Sequence, residues 1–157
     1  MKRYLSRISV CLMILGLVGF NTLTALAHTR PFHLVEHGTL TPNGDGSTTA
    51  DGTGTATHLG TISVHRTFTL TPTSVENVMK LEGEAILTAA NGDTLNTGLE
   101  GPLTIDPSTN TGHAVLTYQW EGGTGRFANA TGMTTWHVDV NLSDGTYDVV
   151  ADGVINF

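Results

Sequence analysis

The chain has 157 residues, with 7 Lys and Arg against 14 Asp and Glu and a formal net charge of −7. An acidic surface of this kind repels phosphate backbones and anionic headgroups, which excludes nucleic acid as a partner and an electrostatic dock on lipid. Cysteine occurs once, at Cys11, so no disulfide framework can hold the fold.

The chain opens on a basic start, Lys2, Arg3 and Arg7, followed by an apolar run over 8–20 and the small-x-small pattern Ala25-Leu26-Ala27. This layout is that of a secretory signal, with cleavage expected after Ala27. The run is shorter than the ~20 residues that span a bilayer, which speaks against a membrane anchor. Cys11 is followed by more apolar residues, unlike a lipoprotein anchor. Cleavage leaves one secreted domain, residues 28–157, without cysteine and without a membrane attachment. Its four cations, Arg30, Arg66, Lys80 and Arg126, face all 14 acids, a formal charge of −10. Catalysis through a thiolate is excluded there.

Beyond residue 27 apolar residues alternate with period two, and turn residues punctuate the alternation, so the segment reads as all-β. A first strand over 32–40 places Phe32, Leu34 and Leu40 on one face and His33 and His37 on the other. The stretch 41–52, TPNGDGSTTADG, reads as a loop, and a long second strand is expected over 54–70. A third over 78–88 turns Met79, Leu81, Ala85 and Leu87 inward, and Asn91-Gly92 signals a hairpin. A fourth over 95–105 is interrupted at Pro102. Strands over 113–121, 134–142 and 147–157 follow, the last two joined at Asp144-Gly145. Short turns between neighbours predict a single antiparallel up-and-down β-barrel of about eight strands, with a β-sandwich as the alternative.

Residues 121–132 read EGGTGRFANATG. Gly122, Gly123 and Gly125 can take backbone angles closed to other residues, Phe127 and Ala130 can tuck under the turn, and Gly132 restarts a strand. The absence of a following Lys-Ser/Thr pair excludes a phosphate loop. The string GGTGRFANATG resembles the G-G-x-G-x-F-x-x-A-x-G signature of the allene oxide cyclase and dirigent barrels. THLGT at 57–61 and LTAANGDTL at 87–95 look like features of bacterial secreted relatives of that group. The resemblance implies an eight-stranded barrel with a central cavity, assembled into homodimers or homotrimers. It also implies an activity that cyclises an unstable fatty-acid epoxide or steers phenoxy-radical coupling. The motif belongs to the scaffold, and no catalytic residue is carried over with it.

Three polar residues interrupt otherwise apolar faces: Glu36 after Leu34, Arg66 between Val64 and Phe68, and His58 on the same alternation as Arg66. If the first two strands pair, Glu36 falls near His58. A buried charge is costly unless paired, so Arg66 is expected to meet a carboxylate, Glu36, in the lumen. These groups can orient a ligand or transfer a proton. They can equally form a structural ion pair at the barrel mouth, or Arg66 can reach out to water. Tyr118, Trp120, Trp136 and Tyr147 can wall an apolar pocket or simply fill the core.

No cofactor or metal set is legible. His33 and His37 lie about 13 Å apart along a strand, too far to chelate one ion. His28, the expected mature N-terminus, resembles the copper-binding N-terminal histidine of oxidative polysaccharide enzymes and periplasmic copper carriers, in that one residue. The loop Asn43-Gly44-Asp45-Gly46-Ser47 with Asp51 lacks the first acid and the final Glu of an EF-hand. Asn129-Ala130-Thr131 and Asn141-Leu142-Ser143 fit the glycosylation acceptor rule. No G-x-S-x-G elbow occurs. The leading functional reading is a secreted barrel holding a small apolar or phenolic molecule and steering its cyclisation or coupling. The others are a packed, non-catalytic interaction module and a copper protein acting through His28.

Overall fold

The computed structural model describes residues 28–157. The expected signal and its cleavage point fall in 1–27, outside the described residues. Period-two alternation is realised as eight strands: β1 (Arg30–Pro42), β2 (Ser47–Ala56), β3 (Gly60–Pro72), β4 (Val78–Ala89), β5 (Thr94–Asp106), β6 (Thr111–Gly123), β7 (Thr131–Asn141) and β8 (Thr146–Asn156). Each pairs antiparallel with its neighbour, and β8 returns to β1 from Arg30↔Ile155 to Thr39↔Thr146. The sheet is therefore a closed up-and-down barrel, not a sandwich, and every strand has a neighbour on both sides. Inward positions follow the alternation, as with Ala114, Leu116, Tyr118 and Trp120 of β6.

Three expectations about strands are corrected. The stretch 41–52 is not a loop: only 43–46 turns, and β2 begins at Ser47. The expected long strand over 54–70 is two strands, broken at 57–59, where His58 has φ 69° and Gly60 φ 74°. β2, STTADGTGTA, has almost no apolar signal because its inward positions are small. It is a strand because β1 and β3 pair with it on both sides. The turn at 43–46 also explains the calcium-like loop. Asp45 accepts hydrogen bonds from the Ser47 backbone N–H and hydroxyl, and Asn43 donates to the Ser47 and Thr49 hydroxyls.

Pro102 does not interrupt β5 either. It stays in register opposite Lys80 of β4. On its other side the β5–β6 ladder pairs Thr97 with Trp120 and next Thr104 with His113, so a proline without an N–H is tolerated between them. The Asn91-Gly92 hairpin forms, but only Gly92 takes a positive φ, 88°, so the connection is the longer 90–93 turn.

The two ends of the barrel differ. At one end lie the turns 57–59, 90–93 and 124–130 with the chain terminus, over a packed interior that includes Phe32, Leu34, Ile62, Leu87, Trp120 and Ile155. At the other lie the hairpin turns 43–46, 73–77, 107–110 and 142–145.

Candidate functional site

Among the described residues the buried charges form one cluster midway along the interior, whose other buried polar side chains are Thr97 and Thr134. Glu36 of β1 and Arg66 of β3 both point inward, with 1% and 6% of their surface exposed. The guanidinium grips the carboxylate with two parallel bonds, Nη1 to Oε1 at 2.5 Å and Nη2 to Oε2 at 2.6 Å. The Tyr147 hydroxyl of β8 donates to Glu36 Oε1 at 2.6 Å and accepts from Arg66 Nη1 at 3.0 Å. Burial alone would lower the basicity of Arg66, but the hydrogen bonds and charge of Glu36, with a smaller part from Tyr147, hold it above its usual value. The pair is therefore held bidentate and away from bulk solvent, the setting in which that geometry matters most.

Small residues clear the space. β2 separates β1 from β3, and Arg66 lies beside Ala50 of β2 and Ala85 of β4. A Cβ on Gly52 would strike the Tyr147 hydroxyl and stand 2.7 Å from Glu36 Oε1, and one on Gly38 would come within 2.6 Å of the same hydroxyl. Gly38 and Gly52 are register partners, so one glycine pair opens the room for the whole cluster.

Above the cluster, toward the hairpin end, is a cavity of about 220 Å³. Leu and Val side chains such as Leu99, Leu116 and Val140 form its wall, with half-buried Leu40, Leu70 and Leu142 at its rim. Arg66, Tyr118, Trp136 and Tyr147 reach into its inner part, whereas Glu36 lies behind them. The Arg66 guanidinium carbon stands 5.2 Å from the Trp136 ring and 5.4 Å from the Tyr147 ring. The Trp136 indole N–H is spent on the Thr134 hydroxyl at 2.7 Å. The Tyr118 hydroxyl has no hydrogen-bond partner among the described residues. Burial pushes its ionisation well above the usual range, against the opposing charge of Arg66, so it is a neutral donor. Burial does the same to Tyr147.

No family model matches the chain, and no curated protein matches it. Among solved structures, one described as the pterocarpan synthase dirigent protein GePTS1 superposes with a TM-score of 0.56 at 18% identity, covering 83% of this chain and 91% of that one. The fold is a dirigent-like barrel.

Within this dirigent-like barrel the glycine motif is the plug of the closed end. Gly122 (φ 80°) and Gly125 (φ 56°) let the chain double back through a single 3₁₀ turn, Gly125–Phe127. Phe127 is driven fully inside, its ring 4.9 Å from that of Phe157. A Cβ on Gly123 would land on the Thr94 carbonyl, and one on Gly125 on the Asp93 carboxylate.

Two expected site residues lie elsewhere. His58 is not in the lumen and not near Glu36, whose partner on β2 is Gly54. Because the strand breaks at 57–59, His58 sits in the closing turn, where Nε2 meets the Pro31 carbonyl at 3.1 Å and the ring packs 5.4 Å from Phe157. Arg126 donates to the His58 carbonyl, and Arg30 lies over Phe157. Trp120 is buried but belongs to the packed half, edge-on to Phe32 at 4.8 Å and to Trp136 at 6.2 Å, not to the cavity wall. Its register opposite Thr97 puts it on the closed side of Tyr118. Among the described residues no group of three His, Cys, Asp or Glu is placed to hold a metal, and His28 stands exposed. Sequence reasoning missed Gly38 and Gly52, whose only signal was glycine at inward-facing positions, and most of the Leu and Val wall.

Proposed function

We propose that this protein is an exported barrel that binds a small, largely apolar molecule in the cavity at its hairpin end and steers the cyclisation or coupling of that molecule by shape. One observation carries the reading: a closed barrel of this length can fill its interior, yet here one half is packed and the other holds about 220 Å³ of apolar space. An apolar cavity of about 150 Å³ stays dry and takes up benzene. The space here, with its open rim, therefore suits a ligand of one or two rings. The aromatic and aliphatic wall matches the usual make-up of such pockets, with few polar groups to fix orientation. The dirigent-like fold agrees with a steering role, and the start of the sequence agrees with export.

The test is saturable quenching of tryptophan fluorescence by a neutral bicyclic aromatic, since Trp136 lies in the wall. Binding should vanish in Ala114→Trp, which fills the cavity from β6. Steering is read separately, as a change in product ratio when a phenol is oxidised by a one-electron oxidant with and without the protein. Absence of saturable binding by neutral aromatics of one to three rings would leave the packed interaction module as the better reading.

A further inference from the structure

The charge arrangement of the barrel points to a selectivity. We infer that the cavity takes ligands with a neutral hydrogen-bond acceptor, such as a ketone, ester or phenol ether, and rejects carboxylates of the same shape. This rests on the cavity being a ligand site. A lone buried arginine would attract anions, but Arg66 is already neutralised by a bidentate carboxylate. Of its five N–H donors, three are used, two on Glu36 and one on Tyr147. Nε–H and the second hydrogen of Nη2 have no partner among the described residues, and Arg66 is part of the cavity wall. The Tyr118 hydroxyl, which also lines the cavity, has no partner among the described residues either. The inner end of the cavity thus offers donors without net charge. A neutral acceptor gains hydrogen bonds there. A carboxylate would bring a second negative charge beside buried Glu36, with one guanidinium for two anions.

The mouth repeats the preference. Each hairpin at the open end carries an acid in or beside its turn: Asp45, Glu76, Asp106 and Asp144. Lys80, near this end, is paired with Glu82 and Glu100, and Arg30 and Arg126 gather at the plugged end, around Phe157. The approach to the cavity is therefore negative, which slows anions before they reach Arg66.

The test compares 2-acetylnaphthalene with 2-naphthoate, matched in size and shape, by tryptophan quenching on residues 28–157 with the wild-type sequence. The ketone should bind at least about tenfold tighter than the carboxylate, since juxtaposed like charges cost several kcal/mol. Added salt should speed association of naphthoate and leave that of the ketone unchanged. In Glu36→Gln, which frees the guanidinium charge, the naphthoate affinity should rise at least about tenfold and close the gap. Tyr118→Phe, which leaves the ion pair intact, should weaken the ketone. Equal binding of the two probes by the wild-type protein, or a ratio unmoved in a folded Glu36→Gln variant, overturns the selectivity while the ligand site stands. Failure of both probes to bind overturns the ligand site itself and the selectivity with it.

Discussion

At the scale of single residues, stability hangs on whether buried charge stays paired. The Glu36 side chain is fully buried and is held by two bonds from Arg66 and one from Tyr147. Arg66→Met keeps an unbranched apolar stem but removes the guanidinium and its charge, so the carboxylate is stranded. The expected loss is about 3–5 kcal/mol in denaturant melts, and adding Glu36→Leu should recover most of it, because replacing both partners of a buried pair is near neutral. A loss below about 1 kcal/mol for Arg66→Met alone would show that the carboxylate does not depend on it. At the surface the same logic runs through hydrogen bonds. Asp45 and Asp106 lie in sister turns, each accepting first from a serine hydroxyl two residues on, Ser47 or Ser108, and then from that serine's backbone N–H. These bonds hold both carboxyls below the usual 3.8. Between the folded and unfolded values the unfolded chain binds more protons, so this stability is present above pH 3.8 and is lost as pH falls below it. The double change Asp45→Ala and Asp106→Ala should therefore flatten the acid limb of a plot of melting temperature against pH. An unchanged acid limb would count against the turn bonds.

At the scale of elements, the 124–130 turn works as a stopper. Its glycines bend the chain, and Phe127 supplies the volume that seals the end together with Phe157. Phe127→Ala removes a ring with 0% exposure and should cost about 3–5 kcal/mol. A loss below about 1 kcal/mol in urea melts would mean the turn does not hold this end closed. β2 shows the opposite use of small residues. Gly52 and Ala50 contribute little packing of their own, but they let Glu36, Arg66 and Tyr147, from three different strands, meet across the interior. An element with a weak strand signal is thus the one that makes the polar cluster possible.

At the scale of the whole molecule, the barrel divides its two ends between stability and access. The plugged end holds the aromatic packing and the stacked arginines, and the hairpin end holds the cavity and an acid in or beside each turn. The separation leaves room to alter the cavity wall without touching the plug. Export is expected to deliver this domain beginning at His28, after the Ala25-Leu26-Ala27 pattern. Mass spectrometry of material secreted by an expressing cell checks this, and an intact segment 1–20 in that material would refute it.

The sequence alone determined the all-β class, most strand positions and the inward faces, and put the barrel ahead of the sandwich, because alternation with period two is a local property that each strand displays by itself. It also identified Arg66 and Glu36 as partners, since a charge on an apolar face has few ways to exist unpaired. It misplaced β2 and, with it, His58. A Thr- and Gly-rich strand carries no apolar period of its own and becomes a strand only when both neighbours supply its hydrogen bonds. It could not separate the cavity from the packed half either. Tyr118 and Trp120 stand two residues apart on one face of β6, one lining open space and the other filling the core. Which does which depends on where the plug folds in and how far the opposite side chains reach. Those are sums over all eight strands, and only the closed tertiary structure performs them.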